Sequence, residues 1–172
     1  MVKGKTKGSA RERQVARILE KWVGGKLWRT PASQGIRGQS YGDIWGQDER
    51  GMNLVRRFLV EVKSRRKLNL FMKSSRNEIM SWWNKAEKEA AGFGVDVMLV
   101  FCIDFVGVWV VVKNKYPVMK GIKMGEYIEW RGLRMFLEPW EWCSFDEFVG
   151  GKDAKTFVKD RGKKIIKVGD YR

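Results

Sequence analysis

The sequence predicts an α/β fold in which helices flank a central β-sheet, followed by a small C-terminal elaboration. Three observations carry this. Helical three- and four-residue spacing and strand-like alternation succeed one another over the first 113 residues, separated by Gly-, Ser- and Pro-rich breaks. The length, 172 residues with 44% hydrophobic, suits one domain with a sizeable core and is short for two. No apolar stretch approaches a bilayer span, and the basic start MVKGKTKGSARER has no apolar signal-peptide core. A soluble, cytoplasmic protein without membrane contact is therefore expected.

Taken in order, residues 1–8 form a Lys/Gly arm expected to be flexible, and Ser9 opens a helix running to about Val23. Val15, Ile18, Leu19 and Trp22 share one face of it. Lys26–Thr30 reads as a strand, and TPASQGIRGQSYG is a loop that enters a second strand near Asp43–Gly46. QDERG reads as a turn and Asn53–Lys63 as the third strand. A helix over about Ser75–Ala91 is closed by GFG. Val95–Ile103 and Val106–Lys113 form an apolar hairpin with a tight turn near Asp104–Val106. Short strands follow around Tyr127–Trp130 and Leu133–Leu137, then a short helix Ser144–Val149 whose Ser144-x-x-Glu147 spacing is a capping box. The expected organisation is an arm (1–8), a core (9–113), an elaboration (114–149) and a basic tail (150–172) in which eight Lys/Arg face three Asp.

Charge and residue inventory narrow the function. Thirty-five Lys/Arg against 20 Asp/Glu give a net charge of +15, which in a compact domain points to a polyanion, most simply nucleic acid. There is no histidine, which removes Ser-His-Asp and Cys-His catalysis and His-metal nucleases. Carboxylates, lysine and a hard metal ion are left. Cys102 and Cys143 have no metal-site spacing, suit a reducing compartment and argue against structural zinc.

Within the strand FLVEVK, Phe58, Val60 and Val62 share one face while Leu59, Glu61 and Lys63 share the other. A carboxylate and an ammonium two residues apart are either a surface ion pair or the rim of a site. Asp43, where a Gly-rich loop enters a strand, is either an Asx-type turn residue or a site carboxylate. Ser9-x-x-Glu12 is itself a capping box, yet Glu12 lies about 20° from Leu19 on a helical projection, at the edge of the buried stripe, where a carboxylate needs a cation. Asp43 and Glu61 on neighbouring strands can converge on one hard metal ion, with Lys63 toward the attacking water.

These residues resemble the PD-(D/E)xK nuclease pattern, as Asp43 … Glu61-Val62-Lys63 preceded by a helix with Glu12, here with Gly42 in place of the proline. The strings KGSARERQVARILEKW, WRTPASQG, GDIWG and FLVEVKSRRK resemble the archaeal-type Holliday-junction resolvases over roughly residues 7–112. QDERGMNLVRR lengthens the gap between Asp43 and Glu61, and the segment after about residue 114 has no counterpart.

The resemblance implies a mixed central sheet and an active site of Glu12, Asp43, Glu61 and Lys63, assisted by Ser33, which by itself is a turn hydroxyl. It implies that Asp43, Glu61 and Glu12 bind Mg²⁺ (or Mn²⁺), with no small-molecule cofactor, for phosphodiester hydrolysis in branched DNA, especially four-way junctions. DNA contacts are expected from Lys3, Lys5 and Lys7 of the arm, Arg13, Arg29, Arg37, Arg65, Arg66, Lys67 and the tail. Paired nicks need two sites, hence a C2 homodimer. The helix 75–91 offers a seam through Ile79, Trp82 and Trp83. The alternatives are another nuclease of the superfamily (nicking, flap or restriction-type) and a non-catalytic DNA-binding protein whose carboxylates are only ion-paired.

Overall fold

The computed structural model describes residues 4–30, 42–68, 78–113, 115–116, 127–130, 132–137 and 145. The chain divides into two compact units, 1–106 and 107–172, a boundary inside the expected hairpin and ahead of residue 113.

The first unit opens with α1 (Gly4–Val23). The helix starts before Ser9, so Gly4–Gly8, expected as arm, are helical, and Ser9 is an interior residue of the helix rather than its N-cap. Val15, Ala16, Leu19 and Val23 are buried along one stripe. Two short strands follow, β1 (Leu27–Arg29) and β2 (Ile44–Gly46), paired antiparallel with Trp28 opposite Trp45.

The next element corrects the sequence reading. Residues expected as a turn and the start of a long strand form α2 (Glu49–Val55) instead, and β3 covers only Phe58–Arg65. Asp48 caps α2, its Oδ1 accepting from the Gly51 N–H at 2.7 Å and its Oδ2 from the Lys26 N–H at 2.9 Å. Those two N–H groups hold the Asp48 carboxyl below the usual carboxylate range. The helix lies so close to the residue that leads into β1 that a Cβ on Gly51 would stand 2.2 Å from the Lys26 carbonyl oxygen. Leu54 and Val55, read as strand residues, are buried on the inner side of this helix.

β3 runs parallel to β4 (Asp96–Ile103), in register from Phe58 opposite Asp96 to Arg65 opposite Ile103, with α3 (Glu78–Ala91) in the connection. Consecutive residues Phe58, Leu59 and Val60, and Val97 through Ile103, are all buried, the mark of strands covered on both faces. Ile79, Trp83, Ala86 and Ala90 of α3 are buried within this unit. That removes Ile79 and Trp83 from the seam assigned to them, because the helix row that fills the core offers no surface to a second copy. Trp82 is half-buried, its ring centroid 6.3 Å from that of Phe101, with the Arg65 guanidinium 4.9 Å over the indole.

In the second unit, β5 (Gly107–Lys113) and β6 (Tyr127–Trp130) both pair antiparallel with β7 (Leu133–Leu137). Its buried residues include Val108, Val110, Val111, Val112, Leu133, Met135 and Phe145. The capping box at Ser144 and the basic tail lie outside the described residues. With parallel and antiparallel pairing and flanking helices, the fold is of the mixed α/β class expected. Among the described residues no helix is long and apolar enough to cross a membrane.

Candidate active site

Asp43 is set in place by its own backbone. Gly42 adopts φ 79°, which proline, locked near about −65°, could not reach. A Cβ at Gly42 would also stand 2.6 Å from the Val60 carbonyl oxygen. Glycine at this position therefore lets the chain run against β3. The Asp43 N–H donates to Val60 O at 2.7 Å, the Thr30 N–H donates to Asp43 O at 2.8 Å, and the Val62 N–H donates to Asp43 Oδ2 at 2.7 Å. The Asp43 carboxylate is thus tied to the strand that carries Glu61 and Lys63.

On that strand the expected alternation holds. Val60 and Val62 are buried, while the Glu61 and Lys63 side chains are 14% and 27% exposed, and Lys63 Nζ donates to Glu61 Oε1. Glu12, on α1, faces Arg29 of β1, with Arg29 Nε 3.5 Å from Glu12 Oε2 and Arg29 Nη1 donating to Ser9 Oγ at 2.5 Å. The residues read as a capping box, Ser9 and Glu12, together hold this arginine.

The Asp43 carboxyl is pushed up to about 6. Burial contributes most, followed by the Glu61 charge, with a smaller push from Glu12; the Val62 N–H and the Lys63 ammonium act the other way. Glu12, Asp43, Glu61 and Lys63 therefore share one electrostatic neighbourhood, although they come from a helix, a loop end and a strand.

The donor set fits a hard divalent cation. It is all carboxylate oxygen, and the Glu61 charge disfavours the charged form of Asp43, which a cation between them would reverse. Among the described residues, however, no three His, Cys, Asp or Glu side chains gather into a metal cluster. Glu12, expected as a third ligand, stands with Arg29, and Glu61 with Lys63.

Of the expected DNA contacts, Arg13, Arg66 and Lys67 are exposed. Arg65 is exposed too, but its Nε donates to Glu78 Oε2 at 2.7 Å. Arg29, also expected to contact DNA, faces Ser9 and Glu12 with its side chain 29% exposed. Lys3, Ser33 and Arg37 lie outside the described residues, as do the side chains of Lys5 and Lys7. The sequence reading missed Arg11, whose guanidinium pairs with Asp104 at 3.0 Å across 93 residues of chain. No local pattern signals such a pair.

Comparison with known proteins bears on this geometry. The model of a family described as "Phage putative PDDEXK endonuclease" matches residues 3–138. One similar solved structure is Hjc from Archaeoglobus fulgidus, a Holliday junction resolvase from an archaeal hyperthermophile. It is 17% identical, over 76% of this chain and 88% of that one, with a TM-score of 0.39, a likeness too distant to decide function. No curated protein matches the chain.

Proposed function

The chain belongs to the phage PDDEXK endonuclease family, and we propose that it is a divalent-cation-dependent DNA endonuclease that resolves four-way junctions by paired nicks. The observation that carries the chemistry is the Val62 N–H bond to Asp43, which holds one carboxylate against the strand bearing Glu61 and Lys63. Asp43 and Glu61 would hold Mg²⁺ or Mn²⁺. When bound, such an ion supplies a Lewis acid that draws charge from the scissile phosphate.

The chain's own residues do the rest. Lys63, beside Glu61, donates to the attacking water and offsets charge that develops on the phosphate. Glu12, steadied by Arg29, orients that water from α1. In-line attack leaves a 5′-phosphate and a 3′-hydroxyl. Arg13, Arg66 and Lys67 grip flanking phosphates, and selectivity comes from DNA shape. Two coordinated cuts require a second copy of the site, supplied by a C2 homodimer. Support for the junction as substrate comes from the strings around Glu12, Asp43 and Glu61 together with the net charge of +15.

A substrate panel in Mg²⁺ tests this. A synthetic four-way junction should be cut far faster than linear duplex of the same sequence or a flap. Equal cutting of linear duplex would favour a restriction-type nuclease, and preferred cutting of flaps a flap endonuclease. Binding with no cleavage in any divalent cation would leave a DNA-binding protein without catalysis.

A further inference from the structure

At the C-terminal end of the β3–β4 pair the chain turns through Asp104–Val106, and three interactions anchor the turn. The Asp104 N–H donates to Arg65 O at 3.1 Å, the Val106 N–H donates to Ile103 O at 3.2 Å, and the Asp104 carboxylate pairs with the Arg11 guanidinium at 3.0 Å. This mount presents Phe105 at φ 63°, the single non-glycine residue in the left-handed region among the described residues. Its side chain is wholly exposed, and Val106 beside it is 52% exposed.

Both features work against folding. A residue with a Cβ is disfavoured in that region, and an aromatic ring left in water forfeits the gain of burial. Glycine or asparagine would make the same turn without either penalty. Nothing in the metal-site chemistry uses the ring.

The surroundings narrow what the ring is for. One anchor is the Arg11 guanidinium, paired with Asp104, and another is the main-chain carbonyl of Arg65, whose side chain pairs with Glu78; the exposed cations Arg66 and Lys67 follow directly. Lys63 pairs in register with Phe101, four residues before Phe105, so the tip stands within about 13 Å of the site lysine's level on the strand. A rigid apolar point set among cations and close to a phosphodiester-cleaving site fits DNA better than it fits an apolar protein surface.

We propose that Phe105, flanked by Val106, is a wedge that enters the base stack of DNA bound at this site. Apolar side chains inserted between base steps unstack and kink DNA, with the neighbouring cations holding the displaced backbone. Entry is easiest where stacking is already interrupted, so the wedge selects the branch point over uninterrupted duplex. This rests on the nuclease reading of the Asp43, Glu61 and Lys63 site.

The test uses full-length protein in EDTA, which halts cleavage, and DNA carrying 2-aminopurine either at the centre of a four-way junction or within linear duplex. Wild type should brighten the junction probe on binding. Phe105→Gly, which keeps the turn, should lose that signal and bind the junction at least about five-fold more weakly, the scale of one lost base–aromatic contact, with little change on duplex. Phe105→Leu should retain both. An unchanged signal and affinity in Phe105→Gly, an equal loss on duplex and junction, or no binding of either DNA by wild type would overturn the wedge. So would a change in solution mass, which would show that the ring packs on a second copy. The same preparations in Mg²⁺ separate the two readings: no cleavage of any DNA by wild type rejects the nuclease, whereas the fluorescence in EDTA decides the wedge by itself.

Discussion

The Asp43 carboxyl titrates near 6 because burial and the Glu61 charge outweigh the Val62 N–H and Lys63. Its folded value lies above its unfolded one. The stability it contributes is therefore present below pH 3.8 and is lost as pH rises through about 6. In EDTA, Asp43→Asn should consequently be more stable than wild type at pH 8, by roughly 2 kcal/mol, and the advantage should vanish near pH 3.5. Chemical denaturation at both pH values measures this, and an equal difference at both would remove the burial argument. The same variant should lose cleavage by about 10²-fold or more in Mg²⁺ while binding the junction as well or better, because a ligand is lost and a repelling charge with it. Lys63→Ala should slow single-turnover cleavage by about 10²-fold with affinity preserved. Lost affinity with normal cutting at saturation would recast Lys63 as a phosphate anchor.

At the scale of elements, α2 and α3 show how packing decides what a segment becomes. Gly51 is needed because the Lys26 carbonyl occupies the space a Cβ would take. Gly51→Ala should destabilise the protein by about 2 kcal/mol or more, and a melting temperature within a degree or so of wild type would contradict that contact. In α3, Trp83→Ala empties a core site and should cost about 3–5 kcal/mol without changing the solution mass. Dissociation of a dimer by that substitution, at undiminished protomer stability, would restore Trp83 to an interface. Trp82→Ala should cost much less, since the ring is half-buried and loses chiefly Phe101 and Arg65.

For the molecule as a whole, the net charge of +15 sets the expected encounter with DNA. At +15 the chain should bind DNA with an affinity that falls steeply as salt rises. Deleting residues 1–7, which removes Lys3, Lys5 and Lys7, should flatten the plot of log affinity against log salt by up to about 0.9 for each phosphate no longer neutralised. An unchanged slope would place residues 1–7 off the DNA. A C2 homodimer on a supercoiled cruciform plasmid should yield linear product from paired cuts in one complex. Nicked circles as the only early product, with monomeric mass in solution, would favour a nicking endonuclease.

Alternation and spacing suffice, read from the residues, for most elements and for the strand face that Glu61 and Lys63 share. The Glu61 and Lys63 charges interrupt one face of an otherwise apolar strand, and that pattern survives any packing because a strand's two faces are set by its backbone alone. The α3 stripe and the β6 and β7 segments were legible for the same local reason. What the tertiary structure decided is what each face meets. Asp48 caps a helix where the sequence suggested a turn, because Lys26, distant in the chain, supplies a second N–H to its carboxylate and a carbonyl against Gly51. Arg29 turns toward Ser9 and Glu12, and Ile79 and Trp83 turn inward. Arg11 reaches Asp104 and thereby mounts Phe105. Periodicity states which side chains share a face, but their partners come from segments far along the chain, and only folding brings those segments together.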